Sequence, residues 1–215
     1  MSSLIGILSL LSTLSATSYA LSCTQCSSAS ASCTGSSVTC RSGYMCGSSY
    51  TETAVGATTQ ESFIRSCIAS SECSFSGSLS IQNGYIRMGI SCCNSDNCDP
   101  VTPSLPSRSS NLNGQVCRTC ISADSTWCYT SDTLNCTGDE NMCLLETTKI
   151  SGSESSSVAI RGCATKSICD LGSQSQTVGD ISVEVKFICT SGGRSVHKLV
   201  LTPVILCLLL LKLYY

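Results

Sequence analysis

Alternation of apolar and polar residues is the clearest pattern in the middle of this chain. Ile181, Val183, Val185 and Phe187 alternate with Asp180, Ser182, Glu184 and Lys186, which predicts a strand over 180–187 with one apolar face. Residues 85–91 alternate likewise, and 62–67 and 144–150 are further strand candidates. Asn83-Gly84 is a hairpin turn pair, and residues 56–59 and 151–155 read as loop tips. Between the two ends no stretch keeps a 3.6-residue apolar period with caps, so the fold predicted is all-β.

The ends carry a different pattern. Residues 1–20 hold an apolar stretch over 4–14, too short to span a bilayer, followed by Ser18 and Ala20 at the −3 and −1 positions before Leu21. They are expected to be a secretory signal peptide. The other end has an apolar run over 199–211, interrupted by Pro203 and shorter than the roughly 20 residues of a spanning helix. Before it lie Ser191-Gly192-Gly193, three small residues, and the polar spacer 194–198. Small triplet, spacer and apolar tail form a GPI-attachment signal, with Ser191 the expected attachment residue and 192–215 removed. A short single-pass anchor is the alternative reading.

Processing at both ends changes the charge and the cysteine count. The mature chain 21–191 keeps all 14 acidic residues but loses Arg194, Lys198 and Lys212, so 9 basic residues remain and the net charge is −5. His197, the single His, and Cys207, the odd cysteine, are removed as well. The 18 cysteines left are an even number, and in a secreted chain they are expected to be disulfides. Cys23…Cys26 and Cys117…Cys120 have zinc-knuckle spacing, but without His and in an oxidising compartment no metal is expected.

The cysteines also repeat. Cys23, Cys26, Cys33, Cys40, Cys46, Cys67, Cys73 and Cys92 recur as Cys117, Cys120, Cys128, Cys136, Cys143, Cys163, Cys169 and Cys189, at offsets of 94 to 97 residues. Flanking residues recur too: Ile64-Arg65-Ser66-Cys67 matches Ile160-Arg161-Gly162-Cys163. One disulfide-rich module has been duplicated in tandem. The first copy adds Cys93 and Cys98, and Pro100, Pro103 and Pro106 mark an extended, semi-rigid linker between the copies. The domains are therefore expected at 21–99 and 114–191, with a linker over 100–113. Each is small, with a thin core that needs disulfide staples.

The residues exclude more chemistry than they suggest. No basic stripe exists to neutralise phosphates, so no nucleic-acid partner is expected. The mature chain has no His, no G-x-S-x-G elbow, no phosphate loop and no free thiol, so neither an enzyme nor a cofactor is expected. Asn135-Cys136-Thr137 is an N-glycosylation sequon at Asn135. Tyr50, Phe75, Trp127 and Tyr129 are candidate binding anchors, each read in the first place as packing against a disulfide.

The opening CxxC at Cys23 and Cys26, the order of ten cysteines and the closing Cys92-Cys93-x-x-Asp96-x-Cys98 resemble the three-finger domains of the lymphocyte-antigen-six and urokinase-receptor type. The ten-then-eight arrangement is most similar to the gamma-type phospholipase A inhibitors. Eight cysteines alone permit on the order of a hundred pairings. The resemblance implies Cys23–Cys46, Cys26–Cys33, Cys40–Cys67, Cys73–Cys92 and Cys93–Cys98, then Cys117–Cys143, Cys120–Cys128, Cys136–Cys163 and Cys169–Cys189. It implies two tandem three-finger domains that bind through loop tips and the concave sheet face. The function expected is that of a GPI-anchored receptor, co-receptor or adhesion module on the extracellular face of the plasma membrane. Its partners would be an extracellular or membrane protein and, through the GPI lipid, the outer leaflet. The alternative is a secreted inhibitor of phospholipase A.

Overall fold

Thirteen strands carry the described residues, and the disulfides sit where the strands meet. The structure is a computed structural model that describes residues 20–153, 155–178 and 180–190. In the first repeat the strands are β1 (Ser22–Ser28), β2 (Ser36–Thr39), β3 (Tyr44–Val55), β4 (Thr58–Ala69), β5 (Ser76–Ile81) and β6 (Gly84–Cys93). In the second they are β7 (Leu112–Arg118), β8 (Cys120–Ser122), β9 (Thr133–Thr137), β10 (Met142–Ser151), β11 (Ser156–Ala164), β12 (Ser173–Val178) and β13 (Ile181–Thr190). One short helix, α1 (Lys166–Asp170), precedes β12. Antiparallel hairpins β1–β2, β3–β4 and β5–β6 are three fingers, and β7–β9, β10–β11 and β12–β13 repeat them. The signal-peptide, attachment and tail residues 1–19 and 191–215 lie outside the described residues.

Nine disulfides join Cys23–Cys46, Cys26–Cys33, Cys40–Cys67, Cys73–Cys92 and Cys93–Cys98 in the first repeat. In the second they join Cys117–Cys143, Cys120–Cys128, Cys136–Cys163 and Cys169–Cys189. At each base two of them stack, with the sulfurs of Cys23 and Cys40 3.1 Å apart and those of Cys117 and Cys136 3.4 Å apart. These buried sulfurs form small cores of their own. Constraining the unfolded chain, each such bridge contributes roughly 2–4 kcal/mol.

The two repeats share one sheet. Its order is β12-β13-β10-β11-β5-β6-β3-β4-β1-β2, with β8 also on β11. The junction is short: Cys163 pairs with Ser80 and Ala164 with Leu79. Alternate residues of a strand face opposite sides, and paired residues face the same side. Ile86 and Met88 of β6, Leu79 and Ile81 of β5, Leu144 of β10 and Val183, Val185 and Phe187 of β13 therefore share one side. They pack, with Ile168 of α1, into the largest apolar cluster among the described residues. That cluster draws on both repeats, so the core thin in each is pooled. Ile181, expected on the same apolar face, is 44% exposed at the strand's end.

A glycine makes the junction possible. A Cβ on Gly162 would lie 2.0 Å from the Ser80 carbonyl oxygen. The first repeat has Ser66 at that place, paired with Gly47, while Gly162 pairs with Leu144 of the shared core. Gly162→Ala is expected to cost about 1–3 kcal/mol in urea unfolding, because the backbone of β5 must give way. Ser66→Ala, the matching change in the first repeat, is expected to stay within about 0.5 kcal/mol.

The linker does not stand clear of the domains. Every second residue of β6 on the side away from the core holds one point of it. The Ser91 hydroxyl donates to the Val101 carbonyl, and the Arg87 guanidinium donates to the Pro106 carbonyl at 2.9 Å. Arg108 stacks 4.0 Å over the Tyr85 ring. Between them Gly89 lets the linker lie flat, since a Cβ there would stand 2.7 Å from the Ser104 carbonyl oxygen. Residues 101–108 thus form a strap along β6, where the composition had suggested a spacer.

Candidate recognition surface

Both broad sheet faces near the domain junction are occupied. The apolar side is buried in the shared core, and the strap covers β6 on the other side. The concave sheet face, expected to offer binding surface, is thus largely closed around β5 and β6. What remains are the fingers' ends.

The four aromatic candidates separate there. Tyr50 packs against Phe63, ring centroids 6.4 Å apart, and Phe75 packs against the shared core. Both are packing residues. Trp127 and Tyr129 are not: they are 57% and 89% exposed, which corrects the reading of them as packing against a disulfide. The cause is local. Cys128 between them is buried with Leu145 and Ala159 and tied to Cys120. In an extended segment, drawing Cys128 inward turns its two neighbours outward.

The loop that carries them is rigid for its size. The Ser122 hydroxyl donates to Asp124 at 2.8 Å, the Trp127 amide donates to the Ser125 hydroxyl at 3.2 Å, and the Asp132 amide donates to the Thr130 hydroxyl at 2.9 Å. The Arg118 guanidinium donates to the Thr130 carbonyl. Arg161 of β11 stacks 4.3 Å from the Trp127 ring. Arg65, its partner in the first repeat, lies 5.4 Å from the Phe63 ring and pairs with Asp99. The recurring arginine was visible in the duplicated sequence; its aromatic partner was not, because Phe63 and Trp127 stand at different places in the two repeats. The result is two exposed aromatic rings on a disulfide-closed loop, Trp127 backed by a cation, with the acids Asp124 and Asp132 in the same loop. Rigid aromatics of this sort supply contact area at small entropic cost.

The buried ionisable groups are placed elsewhere. Glu146 lies on the core side of β10, paired with Phe187 and Ile160, and is 3% exposed. Burial raises its carboxyl to about 7, against one hydrogen bond from the Thr148 hydroxyl at 3.4 Å. Burial raises Glu72 to about 7 as well, and both its carboxylate oxygens lack a hydrogen-bond partner. Glu140 lies at the domain junction, where the Ser78 hydroxyl donates to it at 2.7 Å. Burial raises its carboxyl, opposed by hydrogen bonds from Ser80 and Ser78 and by the charge of Arg108. None of the three stands beside Trp127 or Tyr129.

Two triplets of sulfurs, Cys23 with Cys40 and Cys67 and Cys117 with Cys136 and Cys163, lie close enough to suggest a metal. Each triplet belongs to two stacked disulfides, whose sulfurs carry no thiolate charge to bind one. All 18 described cysteines are paired, and His197 and Ser191 lie outside the described residues. Asn135 is exposed on β9, opposite Val116.

A family model described as the u-PAR/Ly-6 domain matches the chain twice, over residues 19–101 and 113–195. The phospholipase A2 inhibitor 25 kDa subunit of Naja kaouthia is 34% identical over 106 residues, 49% of this chain and 57% of that one. The phospholipase A2 inhibitor NAI of Notechis ater is 31% identical over 106 residues, 49% of this chain and 52% of that one. The chain spans about half the length of these curated relatives. Among solved structures, mouse TEX101 is similar at 18% identity and a TM-score of 0.31, over 74% of this chain and 88% of that one.

Proposed function

We propose that this chain, which belongs to the u-PAR/Ly-6 domain family, is a GPI-anchored recognition protein that binds an extracellular or membrane protein and catalyses nothing. The domains are read as 21–99 and 114–191, with the lipid attached at Ser191 on the extracellular face of the plasma membrane. The observation that carries the binding reading is the pair Trp127 and Tyr129, exposed on a disulfide-closed loop of a cross-linked scaffold. Exposed aromatics on a cross-linked scaffold are what binding hot spots are made of. The tail pattern over 191–211 supports the anchor.

The test starts with cells that express the full chain. Phosphatidylinositol-specific phospholipase C is expected to release the protein with a C-terminus at Ser191 that carries a glycan remnant. Protein shed intact into the medium without the enzyme would remove the anchor. The released protein, biotinylated and clustered on streptavidin, is then titrated onto a panel of cell types. W127A/Y129A is expected to weaken saturable binding by roughly 30- to 1,000-fold, at about 2 kcal/mol for each aromatic that is a hot spot. Its thermal midpoint should stay where it was, since neither ring is buried. Undiminished binding by the variant would move the site elsewhere.

A second reading has its own support. Both curated relatives are named as phospholipase A2 inhibitors, so a secreted inhibitor of phospholipase A is the alternative. Protein found free in the medium that titrates the activity of a secreted phospholipase A2 would put that reading first.

A further inference from the structure

The sequon is built into a strand in a way that dictates when it can be used and what its sugar would cover. Asn135 and Thr137 lie two apart on β9, so both side chains face one side of the β7–β9 ribbon. Asn135 pairs with Val116 and Thr137 with Leu112, with a bulge in β7 between the two pairs. Those two partners are among the most exposed aliphatic side chains of the molecule, Val116 at 52% and Leu112 at 69%. Cys136, between them, points the other way. It is 1% exposed, bonded to Cys163 and packed with Cys117 and Leu134.

We propose that Asn135 is N-glycosylated before the Cys136–Cys163 disulfide closes, and that the glycan covers the apolar face formed by Val116 and Leu112. The proposal rests on the secretory reading above. The amide nitrogen of Asn135 displaces the lipid diphosphate of a lipid-linked oligosaccharide at the first sugar's anomeric carbon. A carbon–nitrogen bond forms, the carbon–oxygen bond to the diphosphate breaks, the amide proton leaves with it, and nothing is oxidised. The transferase must enclose all three sequon residues. It cannot do so once Cys136 is sealed beneath the ribbon and Asn135 is paired to Val116.

The order of synthesis leaves room for this. Cys163 follows Cys136 by 27 residues, so the sequon enters the secretory compartment before the thiol that will lock it. Closure then passes two electrons and two protons to a disulfide-bearing oxidant of that compartment. Once the strand has folded, the sugar lies over two side chains that would otherwise present an unpartnered apolar face to water.

Expression of the full chain in secretory cells, with glycan occupancy read by mass and by peptide amidase, tests the site. A glycan at Asn135 that vanishes in N135Q is expected. A chain on the surface or in the medium with Asn135 bare overturns the proposal and leaves the secretory reading standing. A chain that never enters the compartment overturns that reading first, and this proposal with it. Timing is tested on unglycosylated wild-type protein with every described cysteine paired, offered to solubilised transferase with its lipid-linked donor. No transfer is expected until the protein is reduced, and transfer to the oxidised protein overturns the order. For the covering role, folded N135Q is expected to bind more of the apolar dye anilinonaphthalene sulfonate than wild type, and N135Q/V116S to lose that gain. Equal dye binding by N135Q and wild type overturns it.

Discussion

Leu79→Ala is expected to destabilise both repeats together, by roughly 2–5 kcal/mol. Leu79 belongs to the third finger of the first repeat and is 4% exposed. Its side chain packs in the cluster that holds Val183, Val185 and Phe187 of the second repeat. Truncating it removes apolar contact and leaves a cavity that disulfide-tied strands cannot collapse to fill. If the repeats were beads on a linker, the loss would stop at residue 99. Because they share a core and a sheet, hydrogen exchange should quicken at the amides of Val185 and Phe187 as well as in β5 and β6. Wild type should also unfold in one cooperative transition. Two separate transitions, or exchange unchanged in β13, would show that the shared core carries little stability.

The second large effect is of pH. Raising the pH from 4 to 8 is expected to weaken the fold, and Glu146→Gln to abolish about 3 kcal/mol of that loss. An ordinary glutamate titrates near 4.5, and burial raises Glu146 to about 7. Between those values the folded protein binds more protons than the unfolded chain, so stability falls as the pH rises. It is highest below about 4.5 and has lost this contribution once the pH passes about 7. Gln keeps an oxygen for the Thr148 hydroxyl and has no charge to bury. E146Q should therefore match wild type in urea unfolding near pH 4 and exceed it at pH 8. Glu72, raised to about 7 by burial alone, shifts stability in the same direction. An E72Q/E146Q protein that keeps the full wild-type pH dependence would place its cause elsewhere.

Much of the architecture was legible because cysteine spacing and strand period are local properties. The 94-to-97-residue offset showed the duplication, and the alternation over 180–187 became the core face of β13. The linker shows where local reading stopped. Three prolines predict an extended segment, and residues 101–108 run along β6. That they lie against β6 depends on Gly89, Arg87 and Tyr85 standing at every second position of a strand. No spacing within the linker could report that.

Trp127 and Tyr129 teach the same lesson about the site. Composition placed large aromatics in the core because the domains are small. The structure exposes these two because Cys128 takes the inward position, packed with Leu145 and Ala159.

By itself, then, the sequence determined the all-β class and the tandem repeat, since both follow from residue type and spacing alone. Only the tertiary structure decided that the repeats share one core and that the linker is a strap. It also decided which aromatics face water. Those outcomes depend on which faces of paired strands meet, as at Gly162 and Ser80, where a single missing Cβ lets two repeats join into one sheet.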